Sequence, residues 1–489
     1  MRSIVFATVW ASLFSHLTAS PTLTDPKHLS YKRSSMTPIT IKGNAFWQGD
    51  KRFYVRGIDY QPGGSSGMED PLANETVCKR DIAEFVKLGV NTIRVYMTDN
   101  SVSHDVCMGA LADAGIYVII DANNPLYSIN RLNPEPSYNS EYLQSVFSTI
   151  DAFSKYDNTL AFFSGNEVVN DDIESTLAAV YVKATTRDMR QYIASRDHRK
   201  IPVGYSSADV NSNRIPLAHY MNCGPDDQRS DFYAFNDYSW CNTDMERSGW
   251  NQKVKQFTGY GIPIFLSEYG CNTNGPQRDF GEVKALMSDS MTHVYSGGLV
   301  YEYSAGPNMF GIVNITSGGA DEMLDFDKYR SALAANPAPN GDGGCTLTSN
   351  SMPCPTKDAN WLVDGTSLPP MPEKAKVFMA NGAGTGPGLK GEGSQNAGDG
   401  DSNSGTTTAP AATATATTSA STSKASTSKS TSTSTSTSTS VTGSATTTTA
   451  TPSSSKNAAG NSVGGPVSQG PFAVTGVFVA FAVIGTLLL

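Results

Sequence analysis

Between residues 52 and 337, short apolar strand-like runs alternate eight times with helix-length amphipathic runs. Polar and acidic residues gather at the carboxyl-terminal end of each strand candidate. Strict alternation implies a parallel sheet, and eight units in a span of this size predict an α/β fold, a closed (β/α)8 TIM barrel. A doubly wound open sheet is the structural rival. Its GxGxxG turn after the first strand is missing; YQPGGSSG is glycine-rich but wrongly spaced and opens no clear helix.

The strand candidates, in order, are RFYVRGIDY (52–60), TIRVY (92–96), YVIIDA (117–122) and TLAFFSGNE (159–167). IPVGYSSAD (201–209), DFYAFNDY (231–238), IPIFLSEYG (262–270) and GGLVYEYS (297–304) complete the set. Between them lie helical patterns such as CKRDIAEFVKLG, whose Ile82, Phe85, Val86 and Leu88 form a one-sided stripe. ESTLAAVYVKATTRDMRQYI and GEVKALMSDSMTHVY read the same way. Period-two alternation puts Ile93 and Val95 on one face and Arg94 and Tyr96 on the other, and gives Leu266 and Glu268 a shared face.

Active sites of such barrels sit where the strands end. Here those ends carry Asp59, Gln61, Arg94, Tyr96, Asp121, Asn166, Glu167, Asp209, Tyr238, Glu268 and Tyr301. Two carboxylates stand out: Glu167 closes the fourth strand and Glu268 the seventh, so both can reach over one cleft. Two carboxylates about 5–5.5 Å apart suit retaining glycoside chemistry, one attacking the sugar carbon while the other protonates the leaving oxygen. The acid needs a raised pKa and the nucleophile a lowered one. Arg94, on the inward face of the second strand, is the candidate to hold Glu268 ionised. A mildly acidic optimum follows as an expectation. The aromatics Tyr60, Tyr96, Tyr127, Tyr238, Tyr269, Tyr301 and Tyr303 suit stacking on sugar faces. No metal or organic cofactor is implied, because two carboxylates supply the acid, base and nucleophile.

The flanks carry a different message. Of the 50 residues 406–455, 35 are serine or threonine, which reads as a disordered, O-glycosylated stalk. Charged residues make up only 17% of the 489, and 36 basic against 45 acidic side chains leave a net charge of −9. A basic footprint for nucleic acid is therefore absent. Met1-Arg2 and the apolar run 4–17, followed by Leu17-Thr18-Ala19, read as a secretory signal peptide over residues 1–19. Residues 472–489 are uncharged and end the chain, behind a polar spacer and the small residues Asn457-Ala458-Ala459. That is the layout of a GPI-anchor signal over 457–489, with Asn457 the first-choice attachment residue and Gly460 and Asn461 its rivals. The mature protein is then expected on the outer leaflet of the plasma membrane, or in the wall outside it. All seven cysteines lie in the exported part, where disulfides are their expected use. No CxxC pair or HExxH supports a metal site. Asn74-Glu75-Thr76 and Asn314-Ile315-Thr316 are sequons for N-glycosylation.

The segments GIDYQPGG, NTIRVY, SGNEV, FLSEYGCN and GGLVYEYS resemble the fungal GPI-anchored β-1,3-glucanosyltransferases of glycoside hydrolase family 72, over about residues 37–365. The resemblance implies cleavage inside a β-1,3-glucan donor and transfer of the piece with the new reducing end to the non-reducing end of another glucan. An endo-β-1,3-glucanase using the same pair is the alternative. By matching motif, Glu167 becomes the acid/base, Glu268 the nucleophile and Asn166 a donor-sugar contact. Tyr96, Gln61, Asp121 and Tyr301 become donor-side contacts, and Asp209, Arg214 and Tyr238 further cleft contacts. The family pattern also implies disulfides Cys78–Cys107, Cys241–Cys271 and Cys223–Cys354, leaving Cys345 over and, by its nearness to Cys354, the rival partner of Cys223. The last of these would clamp a C-terminal extension onto the barrel, so the catalytic unit is expected over 20–372 and the linker over 373–456. Too few cysteines remain for the cysteine-rich carbohydrate-binding module of longer members, so the short form is expected, as a monomer.

Overall fold

The computed structural model describes residues 36–395, apart from 65–66, 274–276 and 318. The expected signal peptide, most of the linker with its Ser/Thr stalk, and the anchor signal with Asn457 lie outside the described residues.

Three short antiparallel strands open the chain: β1 (Ile39–Lys42), β2 (Ala45–Gln48) and β3 (Lys51–Phe53). Eight parallel strands then close into a barrel. They are β4 (Val55–Tyr60), β5 (Thr92–Val95), β6 (Tyr117–Asp121), β7 (Thr159–Asn166), β8 (Val203–Ala208), β9 (Phe232–Asp237), β10 (Ile264–Tyr269) and β11 (Tyr295–Val300). Each overlaps one strand expected from sequence, although β11 starts two residues before the expected run 297–304 and stops at Val300, and β11 pairs with β4 to complete the ring. The run 52–60 divides between β3 and β4, a distinction that period-two patterning could not show. A hairpin of β12 (Val313–Thr316) and β13 (Gly319–Glu322) follows.

Helices cover the barrel as the periodicity predicts. In the helix Glu75–Leu88, Asn74 Oδ1 accepts from the Thr76 and Val77 amides, and Gly89 ends it at φ 78°, a conformation that costs glycine nothing. The run 281–295 is not one helix; it breaks into the short turns Gly281–Leu286 and Asp289–Thr292 before β11 begins.

Inside the ring the core is aromatic. Phe46 from β2 packs against Phe232 and Phe265, with centroids 5.9 and 5.8 Å apart, so the N-terminal sheet plugs the strand-start end. Phe163 lies above, 5.5 Å from Phe232, and the Arg94 guanidinium rests 4.6 Å over Phe163. The barrel is therefore packed from below, and its buried charges sit above that packing, toward the mouth.

The three expected disulfides are present, and Cys345 is unpaired. Cys223–Cys354 holds the post-barrel chain against the barrel, where fully buried Trp361 packs 5.3 Å from Tyr220. The expected boundary at 372 is too early. A helix at Lys376–Asn381 and a bonded stretch reaching the fully buried Ser394 continue the fold. Glycine-rich, weakly apolar sequence concealed this, because its contacts are made largely by main-chain groups.

Candidate active site

The strand ends converge on one buried cation. Arg94, fully buried, donates Nε and Nη2 to the two Asp121 oxygens, each at 2.9 Å, and Nη1 to Glu268 Oε1 at 3.1 Å. Its guanidinium lies 4.1 Å over the Tyr96 ring. Tyr96 donates its hydroxyl to Glu268 Oε1 at 2.9 Å, and Tyr238 donates to Oε2 at 2.6 Å. Three donors thus fix the Glu268 carboxylate.

Alternation did not predict how Glu268 arrives there. Leu266 packs outward among the helix-facing core, whereas both Ser267 and Glu268 reach the interior. The β9–β10 register shifts between Leu266 and Glu268, a bulge that turns two consecutive side chains inward. The shared face expected for Leu266 and Glu268 is thereby overturned. A matching shift between Phe163 and Asn166 lies at the end of β7.

Glu167 follows immediately, with φ at 48°. Its Oε1 accepts from Asn236 Nδ2 at 2.9 Å, and the same Nδ2 reaches Asn166 Oδ1 at 3.1 Å. Ser206 Oγ also donates to Asn166 Oδ1, at 2.7 Å. With Oδ1 so engaged, the Asn166 Nδ2 group is the part of that amide left for a ligand. Ser267 Oγ donates to Asn236 Oδ1 at 2.8 Å, so one network joins the surroundings of both glutamates.

Burial is the largest influence on Glu268 and pushes its carboxyl up to about 7, while Arg94, Tyr238 and Tyr96 pull it down. The lowered pKa expected of this residue is therefore not found; desolvation outweighs the arginine. The Glu167 charge adds to the rise, so protonating Glu167 eases ionisation of Glu268. Asp59, wholly buried beside this cluster, is pushed well above the carboxylate range, first by burial.

The remaining expected residues fall into groups. Tyr301 stands between Tyr96 and Tyr238, with ring centroids 6.4 and 6.2 Å away, and forms an aromatic wall with Phe310. Gln61 follows β4 and is buried. Asp121, expected as a sugar contact, has both oxygens on Arg94 and sits beneath the mouth. Asp209 and Arg214 pair with each other, and Lys253 Nζ bridges Asp209 and Asp237 at 2.6 and 2.5 Å. Asp209, Arg214 and Lys253 line a cleft of about 780 Å3 that Asn236 and Tyr238 connect to the two glutamates. Tyr60, Tyr269 and Tyr303, expected at the rim, are core residues, and Tyr60 and Tyr303 both donate to buried Asp81. Tyr127 is buried as well. Asn236 and Lys253 were missed; Asn236 had a faint signal, standing next to the acidic strand end Asp237-Tyr238.

A parallel eight-stranded barrel with two buried-network glutamates ending its fourth and seventh strands defines a class, the barrel enzymes that work on glycosidic bonds. Residues 28–336 match the family model described as Glucanosyltransferase. The chain is 60% identical to the 1,3-beta-glucanosyltransferase gel1 of Aspergillus fumigatus over 357 residues, covering 73% of this chain and 78% of that one. It is 52% identical to gas4 of Schizosaccharomyces pombe, also a 1,3-beta-glucanosyltransferase, covering 71% and 77%. Among solved structures, Saccharomyces cerevisiae Gas2p in complex with laminaritriose and laminaritetraose aligns with a TM-score of 0.64 and 40% identity, over 70% of this chain and 78% of that one. This chain belongs to the glucanosyltransferase family.

Proposed function

We propose that this protein is a retaining β-1,3-glucanosyltransferase acting through Glu167 and Glu268. The observation that carries the reading is the three-donor hold on Glu268, whose neighbour across the mouth is a second carboxyl in the same hydrogen-bonded network. Glu268 attacks the anomeric carbon of a donor glucose while Glu167 gives its proton to the departing glycosidic oxygen. The glycosyl-enzyme ester is then opened by the 3-hydroxyl at the non-reducing end of an acceptor glucan, with Glu167 taking the proton. Two inversions at one carbon retain the β configuration, and one bond is made for each bond broken. Asn166 Nδ2 is suited to a donor hydroxyl, and Tyr96, Tyr301, Gln61 and Tyr238 to the donor ring. Asp209 and Arg214 are suited to sugars farther along the cleft. Laminari-oligosaccharide complexes of the solved relative support this substrate class.

Export, GPI tethering at Asn457 and a monomeric state belong to the same proposal. So does N-glycosylation at Asn74 and Asn314, both exposed. Asn74 caps its helix through Oδ1, so a glycan on Nδ2 is compatible with the cap. Incubation with one defined laminari-oligosaccharide is the test. Products longer than the starting chain are expected; shorter products alone would sink transfer and leave an endo-β-1,3-glucanase.

A further inference from the structure

Glu167 holds a left-handed backbone conformation that a residue with a β-carbon disfavours, so its surroundings must maintain it. Arg131 does so from a neighbouring connection. Its Nε donates to Val168 O at 2.9 Å, and its Nη2 donates to Glu167 O. Arg131 lies in the chain between β6 and the helix Ser140–Phe153, where the only helical element is the single turn Pro134–Ser137.

That connection is tied down by the chain beyond the barrel. Residues 383–395 form a strap held first to other parts of the barrel: Ala383 N donates to Tyr192 Oη at 2.9 Å, and Gly388 N to Asn100 Oδ1 at 2.9 Å. At its end Ser394 grips the connection on both sides of Arg131. Ser394 N donates to Leu126 O at 2.8 Å, and Asn139 Nδ2 donates to Ser394 O at 3.0 Å. Gln395 adds a bond to Ser128 Oγ. At two of its glycines the approach leaves no room for a side chain: a β-carbon on Gly386 would stand 2.1 Å from Asn100 Oδ1, and one on Gly391 2.0 Å from Tyr127 Oη.

We propose that Arg131 is a positioning residue for the acid/base, and that the strap 383–395 latches the connection carrying it. The post-barrel chain then contributes to turnover without touching glucan. This inference rests on the reading of Glu167 as acid/base.

The test compares two donors with the full-length enzyme: a laminari-oligosaccharide, whose leaving sugar needs protonation, and its dinitrophenyl glycoside, whose leaving group needs none. Glu167→Gln is expected to lose about 100-fold or more on the first and to retain glycosyl-enzyme formation on the second. Arg131→Ala and Gly391→Val are expected to lower kcat by roughly 10- to 100-fold on the first and to slow glycosyl-enzyme formation by under about 3-fold on the second. Arg131→Lys recovers part of the loss, because an ammonium still reaches one carbonyl. Equal losses on both donors, or none, for either Arg131→Ala or Gly391→Val overturn the latch. Equal losses for Glu167→Gln overturn the acid/base reading instead. If Gly391→Val does not fold, Asn139→Asp keeps the cap on the Tyr142 amide, removes the Nδ2 donor to Ser394 O and carries the comparison.

Discussion

Glu268→Gln should stabilise the protein, and only above mildly acidic pH. The folded state holds the Glu268 proton up to about 7, against an ordinary value of 4.5. A carboxyl that binds its proton more tightly folded than unfolded lowers stability as pH rises between those values, because only the unfolded chain ionises it freely. The difference amounts to roughly 3 kcal/mol once both states are ionised, and to nothing below about pH 4. Glutamine preserves the shape: its carbonyl oxygen accepts from Arg94 and Tyr96, and its amide donates to the Tyr238 hydroxyl, which can accept. For a folded unit of this size, about 3 kcal/mol moves the melting temperature by roughly 4 °C. Thermal unfolding of Glu268→Gln and the unsubstituted protein at pH 4 and pH 8 should therefore coincide at the lower pH and separate at the higher. A separation independent of pH, or one largest at pH 4, would refute the reasoning. The same variant should form no glycosyl-enzyme by mass spectrometry at either pH.

Three further outcomes follow from the same cluster and its supports. Tyr238→Phe removes the 2.6 Å donor to Glu268 and should raise the carboxyl further, moving the acid limb of kcat/KM to higher pH by about one unit. An unmoved limb would show that Tyr238 does not govern that ionisation. Arg94→Met strips the cation from Asp121 and Glu268 and should cost about 3–5 kcal/mol in stability together with nearly all turnover; Arg94→Lys should not restore it, since an ammonium cannot hold both oxygens of Asp121 and Glu268 together. Calorimetry and turnover on laminari-oligosaccharide check both. Cys354→Ser opens a clamp between residues 131 apart in sequence, and the chain-entropy estimate is about 5 kcal/mol, or roughly 6 °C. A fall under about 1 °C would mean that the extension is held without the disulfide.

The eight barrel strands were legible because a strand buried on both faces has to be apolar along its length, and because polar ends can be tolerated only at the mouth. Glu167, Glu268 and Arg94 stood out for the same reason, as charges at the ends of apolar runs. The N-terminal plug was not legible: β1 to β3 are three or four residues each, too short for a period to register. Nor was the strap, whose anchoring groups are mainly backbone amides and carbonyls that any residue possesses.

Hydrophobic pattern and motif were enough for the ring of eight units, the pair of carboxylates and the family resemblance. The state of Glu268 depends instead on the closed barrel. Its proton affinity is set by burial and by donors from β5 and the end of β9, brought within 3.1 Å by ring closure and a bulge. Likewise Asp121 became a partner of Arg94, and Tyr60, Tyr269 and Tyr303 became core, because a side chain's surroundings depend on which strands become neighbours. No local pattern encodes that.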